Sequence, residues 1–306
     1  MASQHVSVPL PDGGLLHVWA GGDPDGVPVI FFHGTPSSRL QAVSGHDAAV
    51  RQGVRLIAAN RPGYGAAPDA PTSLSSVAKD TLALADGVGL NRFAVLGVSG
   101  GGPYALACGA LAPQRVAAVG VAVGIGPWRQ IDPPGTDPED RAALELADAG
   151  DIVAALAAFR RAAAADYASM LELDDEAMMD EFIRPVPEPE RTVFTPAMRA
   201  LWAADLREAL ASYDGYARDN LVWGGDWDLD LAAVRCPTWL WYGEDDRLVP
   251  ADHGRWLHER VPFSTLVIRP GCGHGRAVFP FWDDMLTTLH GAVLAVGAGN
   301  PIRGFH

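Results

Sequence analysis

Cysteine is scarce in this 306-residue chain. The three present, Cys108, Cys236 and Cys272, are odd in number and show no C-x-x-C spacing, which argues against a disulfide framework and against a zinc site and fits a reducing cytoplasm. Basic residues are also few. Lys plus Arg number 23 against 37 Asp plus Glu, and a net charge of −14 repels a phosphate backbone, whose binding depends on clustered cations. No nucleic-acid partner is expected. Long apolar runs are missing as well, since the best, Val116 to Ile125, is short, glycine-broken and well under the roughly 20 residues that span a bilayer. The stretch Met1 to Gly14 has no cationic start and no apolar run, and Pro9 and Pro11 interrupt it, so it does not read as a signal peptide. There is no internal repeat, charge block or low-complexity linker. These absences predict a soluble, cytoplasmic protein without nucleic acid or membrane as partner, and they leave the oligomeric state open.

What is present is ordinary globular composition, 48% hydrophobic and 20% charged, over a length that suits a large α/β core carrying an insertion. From Val6 to Val98 short strand-like runs alternate with longer helix-like stretches, the pattern of a mostly parallel sheet with helices on both faces. Val6–Leu10 and Leu15–Ala20, joined by Pro11-Asp12-Gly13-Gly14, read as an opening antiparallel hairpin. Val27–Phe32, Val54–Ala59, Phe93–Val98 and Val116–Val123 are almost continuously apolar, as strands buried on both faces are. Leu40–Gln52, Leu74–Gly87 and Gly101–Leu111 have helical length and spacing, with Ser73 as N-cap of the second. After Pro127 the rhythm breaks. Arg141–Ala149, Ile152–Tyr167, Glu176–Phe182 and Pro196–Tyr213 read as helices of an insertion that Pro185, Pro187 and Pro189 divide in two. Alternation resumes with Thr238–Tyr242, a helix near Asp252–Arg260, Ser264–Ile268 and a last helix from about Phe281 to Val296. The expected division is a core of residues 1–127 and 224–306 and a helical cap of residues 128–223.

The chemistry is carried by a few loops. Gly97-Val98-Ser99-Gly100-Gly101 is a G-x-S-x-G sequence between an apolar strand and a helix, where flanking glycines remove Cβ atoms that would clash and the helix N-terminus favours developing negative charge. A plain Gly-rich β–α turn is the alternative. His33-Gly34-Thr35-Pro36 follows the strand Val27–Phe32 at a carboxyl end, where ligands of open α/β sheets bind. The Thr35 amide and that of Gly100 are candidate oxyanion donors, whereas Pro36 has no N–H to offer. His33 reads as a loop-organising imidazole rather than a proton carrier. A serine hydroxyl needs a base, and nine histidines compete, of which His274 sits in a glycine-rich loop, Gly271 to Gly275, after a strand and before a helix. His5, His17 and His306 lie near termini or in the hairpin, and His46, His253, His258 and His290 read as helix-surface residues. For the orienting acid, Glu244, Asp245 and Asp246 all follow the strand Thr238–Tyr242, and only one is needed.

Taken together these pieces resemble the α/β-hydrolase superfamily, specifically its cap-bearing esterase, C–C-bond hydrolase and haloperoxidase-like relatives. The likeness covers nearly the whole chain. It rests on the HG-x-P loop at His33–Pro36, the turn Arg61-Pro62-Gly63-Tyr64-Gly65, the elbow at Ser99, the G-x-x-D-x-x-V-P stretch from Gly243 to Pro250 and GCGH ending at His274, in that family's order Ser, Asp, His. It implies an α/β-hydrolase fold, Ser99 as nucleophile, His274 as general base, Asp246 as orienting acid, and Thr35 and Gly100 as oxyanion donors. Dehalogenases and epoxide hydrolases of this fold carry an aspartate at the elbow, and Ser99 cannot play that part. The HGGG loop of lipases and the HGGPG of proline iminopeptidases are absent too. The expected activity is hydrolysis of a small to medium, mainly uncharged ester, thioester or lactone through an acyl-enzyme, with no metal or organic cofactor. The alternatives are a cofactor-independent lyase, oxygenase or C–C bond hydrolase, or a catalytically weak ligand-binding homologue. Besides His33, the candidates for lining the pocket are Trp128, Tyr167, Phe194, Trp202, Tyr216 and Trp223, with Met170 as a further cap residue.

Overall fold

Alternating apolar runs and amphipathic stretches build one twisted sheet clothed in helices. The computed structural model describes residues 4–10, 13–131 and 137–297. The strands are β1 (Gln4–Pro9), β2 (Leu15–Gly22), β3 (Val27–Phe32), β4 (Val54–Ala59), β5 (Phe93–Val98), β6 (Val116–Ala122), β7 (Thr238–Gly243) and β8 (Ser264–Arg269), in the order β1-β2-β4-β3-β5-β6-β7-β8. β1 pairs with β2 and β2 with β4 antiparallel, and every other neighbouring pair is parallel. The opening hairpin is therefore present, although Pro11 and Asp12 of its turn, like Met1 and His306, lie outside the described residues.

Successive residues of a strand face opposite sides, and in the central strands β5 and β6 both sides are buried. Phe93 and Val95 of β5 join a core under α2 (Leu74–Gly87), α3 (Gly102–Leu111) and α10 (Ala251–His258), while Ala94, Leu96 and Val98 join the opposite core under α1 (His46–Arg51) and α11 (Trp282–Gly297). Helix α2 has the predicted bounds, and Ser73 forms a reciprocal capping box with Ser76. The predicted helix Leu40–Gln52 is instead a 3-10 turn, Arg39–Gly45, followed by α1. At the junction a Cβ on Gly45 would come within 2.8 Å of the Trp282 ring, so tertiary packing decides where the helix starts.

Between β6 and β7 the described residues form no strand. They form α4 (Trp128–Ile131), α5 (Pro138–Asp148), α6 (Ile152–Leu171), α7 (Asp175–Ile183), a 3-10 turn at Glu188–Val193, α8 (Pro196–Ala209) and α9 (Asp214–Gly224). Asp137, Asp151, Asp174 and Thr195 cap α5, α6, α7 and α8. The insertion has its own core of Met170, Met178, Met179, Ile183, Leu206 and Leu210, into which Tyr64 of the Arg61–Gly65 turn is inserted. The predicted helix Pro196–Tyr213 stops at Ala209, and α9 is a separate helix that the sequence pattern did not reveal. Gly215 explains its placement, because it lies flat on the Tyr64 ring and donates its N–H to Gly63 O at 3.1 Å. No helix among the described residues is long and apolar enough to cross a membrane.

Candidate active site

Ser99 stands where β5 turns into α3, with φ +52°, a left-handed conformation that a non-glycine residue adopts only when its surroundings enforce it. The two glycines of the motif make the turn possible. A Cβ on Gly97 would run into the Gly101 carbonyl, and one on Gly101 into the carbonyls of Phe32 and His33. The loop after β3 lies against the elbow, since a Cβ on Gly34 would be in ordinary contact with Ser99 Cβ at 3.5 Å.

At the next edge of the sheet, His274 Nδ1 and Asp246 Oδ2 are 2.7 Å apart. The second oxygen, Asp246 Oδ1, accepts the Leu248 and Val249 amides at 2.9 Å each, so the carboxylate is fixed by its own turn. The Asp246 side chain is fully buried, whereas 24% of the His274 side chain is exposed, which leaves the imidazole reachable from outside. Burial pulls the imidazole pKa down, but the Asp246 charge and hydrogen bond, with Glu190 adding to them, hold it above its ordinary value. Of the two other carboxylates after β7, Asp245 is exposed and Glu244 accepts the Gly271 amide at 3.1 Å.

The loop after β3 is held from beneath by a buried ionic network. Arg61 donates to the carbonyls of His33 at 2.7 Å and Gly34 at 3.1 Å, and pairs with Asp219 of α9 through Nε at 3.0 Å and Nη2 at 2.5 Å. Asp219 also accepts from the Thr35 hydroxyl at 2.5 Å and from the phenols of Tyr64 and Tyr104 at 2.7 Å each. Burial and the Asp219 charge push both phenols well above the ordinary tyrosine pKa, so they remain neutral donors. In a planar trans peptide the N–H points opposite to the C=O, so anchoring the Gly34 carbonyl on Arg61 turns the Thr35 N–H away from the guanidinium. The Thr35 side chain packs on Gly100, where a Cβ would sit 2.6 Å from its Oγ1. Helix α8 secures the rest of the loop, with Asp205 accepting from Ser37 Oγ, Ser38 N and Ser38 Oγ, and Glu208 from Arg39 and Asn60.

His33 lies inside this network. It is fully buried, Nδ1–H donates to Gly34 O at 2.8 Å, and Nε2 faces the Arg61 amide at 3.5 Å. Burial, then the Arg61 charge, keeps it far below the ordinary histidine pKa, and it is neutral. The other pocket candidates fall into three groups. Trp223 stacks edge-on with Trp128 at 4.7 Å between centroids, and its Nε1 lies 3.4 Å from where a Gly100 Cβ would be. Phe194 and Trp202 meet at 5.8 Å, and Trp202 touches Phe279, which flanks the His274 loop. Tyr167 and Tyr216 pair at 6.1 Å between α6 and α9. A cavity of about 310 Å³ lined by Pro127, Trp227, Leu231, Trp256 and Arg260 contains none of these residues. His253 corrects its predicted place on a helix surface, because it is 1% exposed and its Nδ1 accepts the Gly126 amide at 2.9 Å. The carboxylates Asp205, Asp219 and Glu190 went unseen in the sequence; the one available signal was Asp219 lying four residues before Trp223 on the buried stripe of α9.

A model of the alpha/beta hydrolase family matches residues 29–289. A protein named "Putative carbamate hydrolase RutD" from Caulobacter sp. (strain K31) is 30% identical over 213 residues, 68% of each chain. Among solved structures, bromoperoxidase from Bacillus anthracis superposes with a TM-score of 0.65 at 20% identity, covering 94% of this chain and 99% of that one. An esterase (EaEST) from Exiguobacterium antarcticum gives 0.64 at 20% identity, covering 95% and 100%. At such identities the two structures speak for a shared fold.

Proposed function

The chain belongs to the alpha/beta hydrolase family, and from that premise we propose that it is a serine hydrolase that cleaves a small to medium, mainly uncharged ester, thioester or lactone through an acyl-enzyme on Ser99. One observation carries the reading: a serine held left-handed at a strand-to-helix turn accompanies a histidine whose Nδ1 is taken by a buried carboxylate. Asp246 fixes the tautomer that leaves Nε2 as acceptor. His274 removes the Ser99 proton as Oγ attacks the carbonyl carbon, and the amides of Thr35 and Gly100 receive the developing oxyanion. The imidazolium then protonates the departing alcohol, thiol or ring oxygen. In the second half, His274 takes a proton from water, hydroxide attacks the acyl carbon, and Ser99 regains its proton. Only side chains and backbone amides act in this sequence. Carbamate hydrolysis, the activity in the relative's name, is acyl transfer of the same kind and belongs in a substrate panel.

In this reading residues 128–223 form a cap whose aromatic side chains, Trp223 foremost, limit the size of the acyl group. The reading also takes a small molecule as the protein's partner, with neither nucleic acid nor membrane, and a reducing cytoplasmic setting. Three free buried cysteines and a net charge of −14 support those two points. The test is the initial rate of p-nitrophenyl acetate hydrolysis by the protein and by Ser99→Ala. The variant is expected to lose nearly all turnover, since triad members contribute orders of magnitude, and retention of more than about a tenth would remove covalent serine catalysis.

A further inference from the structure

Three carboxylates from the helical insertion end on the loops of the candidate site. Asp205 and Asp219 reach the loop after β3, and Glu190 reaches the loop after β8. Glu190 belongs to the 3-10 turn Glu188–Val193 and is 9% exposed. Its Oε1 accepts the Gly273 amide at 2.8 Å and its Oε2 the Arg276 amide at 3.0 Å, so one carboxylate bridges the peptide groups on either side of His274. The contact is close. A Cβ on Gly273 would lie 2.6 Å from Glu190 Cδ, and one on Gly275 would meet Val193 at 3.3 Å. Among the described residues no cation forms an ion pair with Glu190.

We propose that Glu190 is a positioning residue for the general base, clamping the His274 loop to the insertion and adding its negative charge to that of Asp246. The proposal rests on the serine-hydrolase reading. Carboxylate-to-amide hydrogen bonds are roughly twice as strong as neutral ones, and two of them on nearby peptides fix both the position and the rotation of the loop between. The charged groups facing His274 are Asp246 from the loop after β7 and Glu190 from the insertion. Arg276, on the same loop, turns its guanidinium onto Gly271 O at 3.0 Å, and Glu244 is engaged by the Gly271 amide. The clamp makes the base depend on a residue more than eighty positions away, in a segment that the core does not need for its sheet.

Glu190→Gln keeps the shape, removes the charge and leaves one of the two amides facing an NH₂ group. The His274 ring is titrated by NMR in the protein and in this variant, and the pH profile of fluorophosphonate labelling is measured alongside. The expected result is an imidazole midpoint lower by about half a unit or more and a labelling plateau reduced by roughly tenfold from misplacement of the base. Glu190→Asp, which retains the charge, is expected to return the midpoint toward that of the unaltered protein. A midpoint unmoved in Glu190→Gln overturns the proposal whatever the plateau does, because a purely structural loss lowers the plateau without moving the titration. If the unaltered protein is not labelled at all, the serine-hydrolase reading fails, while the NMR titration still measures what Glu190 does to His274.

Discussion

Asp245 and Asp246 are neighbours in one turn with opposite environments. Asp246 is buried against His274 and two amides, while Asp245 is exposed and offers its own N–H to Cys272 O at 2.9 Å. Replacing Asp246 by asparagine preserves shape and permits the wrong histidine tautomer, so kcat is expected to fall by on the order of 10⁴, as in the serine-protease template. Asp245→Asn is expected to stay within a few-fold of the unaltered protein, with circular dichroism confirming that both variants are folded. The pH profile follows from the same pair. His274 must be neutral to accept a proton, and Asp246 and Glu190 favour its charged form, so activity should rise with pH through a midpoint above the ordinary imidazole range. A midpoint below that range in the steady-state kcat/KM profile would contradict this placement of charge. The residues of this site differ in how far sequence reveals them. Ser99 is legible because its glycines and flanking strand leave a pattern, whereas choosing among three adjacent carboxylates required the family resemblance. The burial of His253 escaped notice because a helix with Asp252 and Arg255 on its surface looks solvated throughout.

At the level of elements, the strands and helix α2 follow the apolar rhythm closely, whereas the stretch Leu40–Gln52 and α9 do not. The sequence of α9 mixes Asp214, Arg218, Asp219 and Asn220 with apolar residues, and its buried stripe includes the carboxylate that holds Arg61. A buried ion pair cannot be told from a solvated one by spacing alone. Arg61 and Asp219 have side chains 2% and 1% exposed, so removing one partner strands a charge in the interior. Asp219→Ala is therefore expected to cost about 3–5 kcal/mol of stability by urea unfolding. The double variant Arg61→Met with Asp219→Leu should recover part of that stability by removing the stranded charge, although the Thr35, Tyr64 and Tyr104 hydroxyls lose their acceptor. Activity should not return with it, because the Thr35 hydroxyl and the Gly34 carbonyl lose their anchors. Recovery of full kcat in the double variant would show that the network serves stability alone.

Over the whole molecule, the sheet supplies rigid strand ends, and the insertion grips the loops mounted on them through Asp205, Asp219 and Glu190. If the insertion is the proposed cap, it limits the site to compact substrates. Hydrolysis of p-nitrophenyl esters is expected to peak at short acyl chains and to show no rise at a lipid interface; steady improvement with chain length would point to a lipase instead. The α/β order was legible because parallel strands must be apolar on both faces, and the insertion because helices replace that rhythm. Its grip on the core was not, because contacts between residues 35 and 219, or 190 and 273, leave no local periodicity. The proposed chemistry requires Ser99 to be an activated nucleophile, and peptide mapping after fluorophosphonate treatment tests this. It predicts one adduct, on the peptide containing Ser99, absent from Ser99→Ala and strongly diminished in His274→Ala. Turnover of esters by a protein that carries no adduct, or an adduct on another residue, would contradict it.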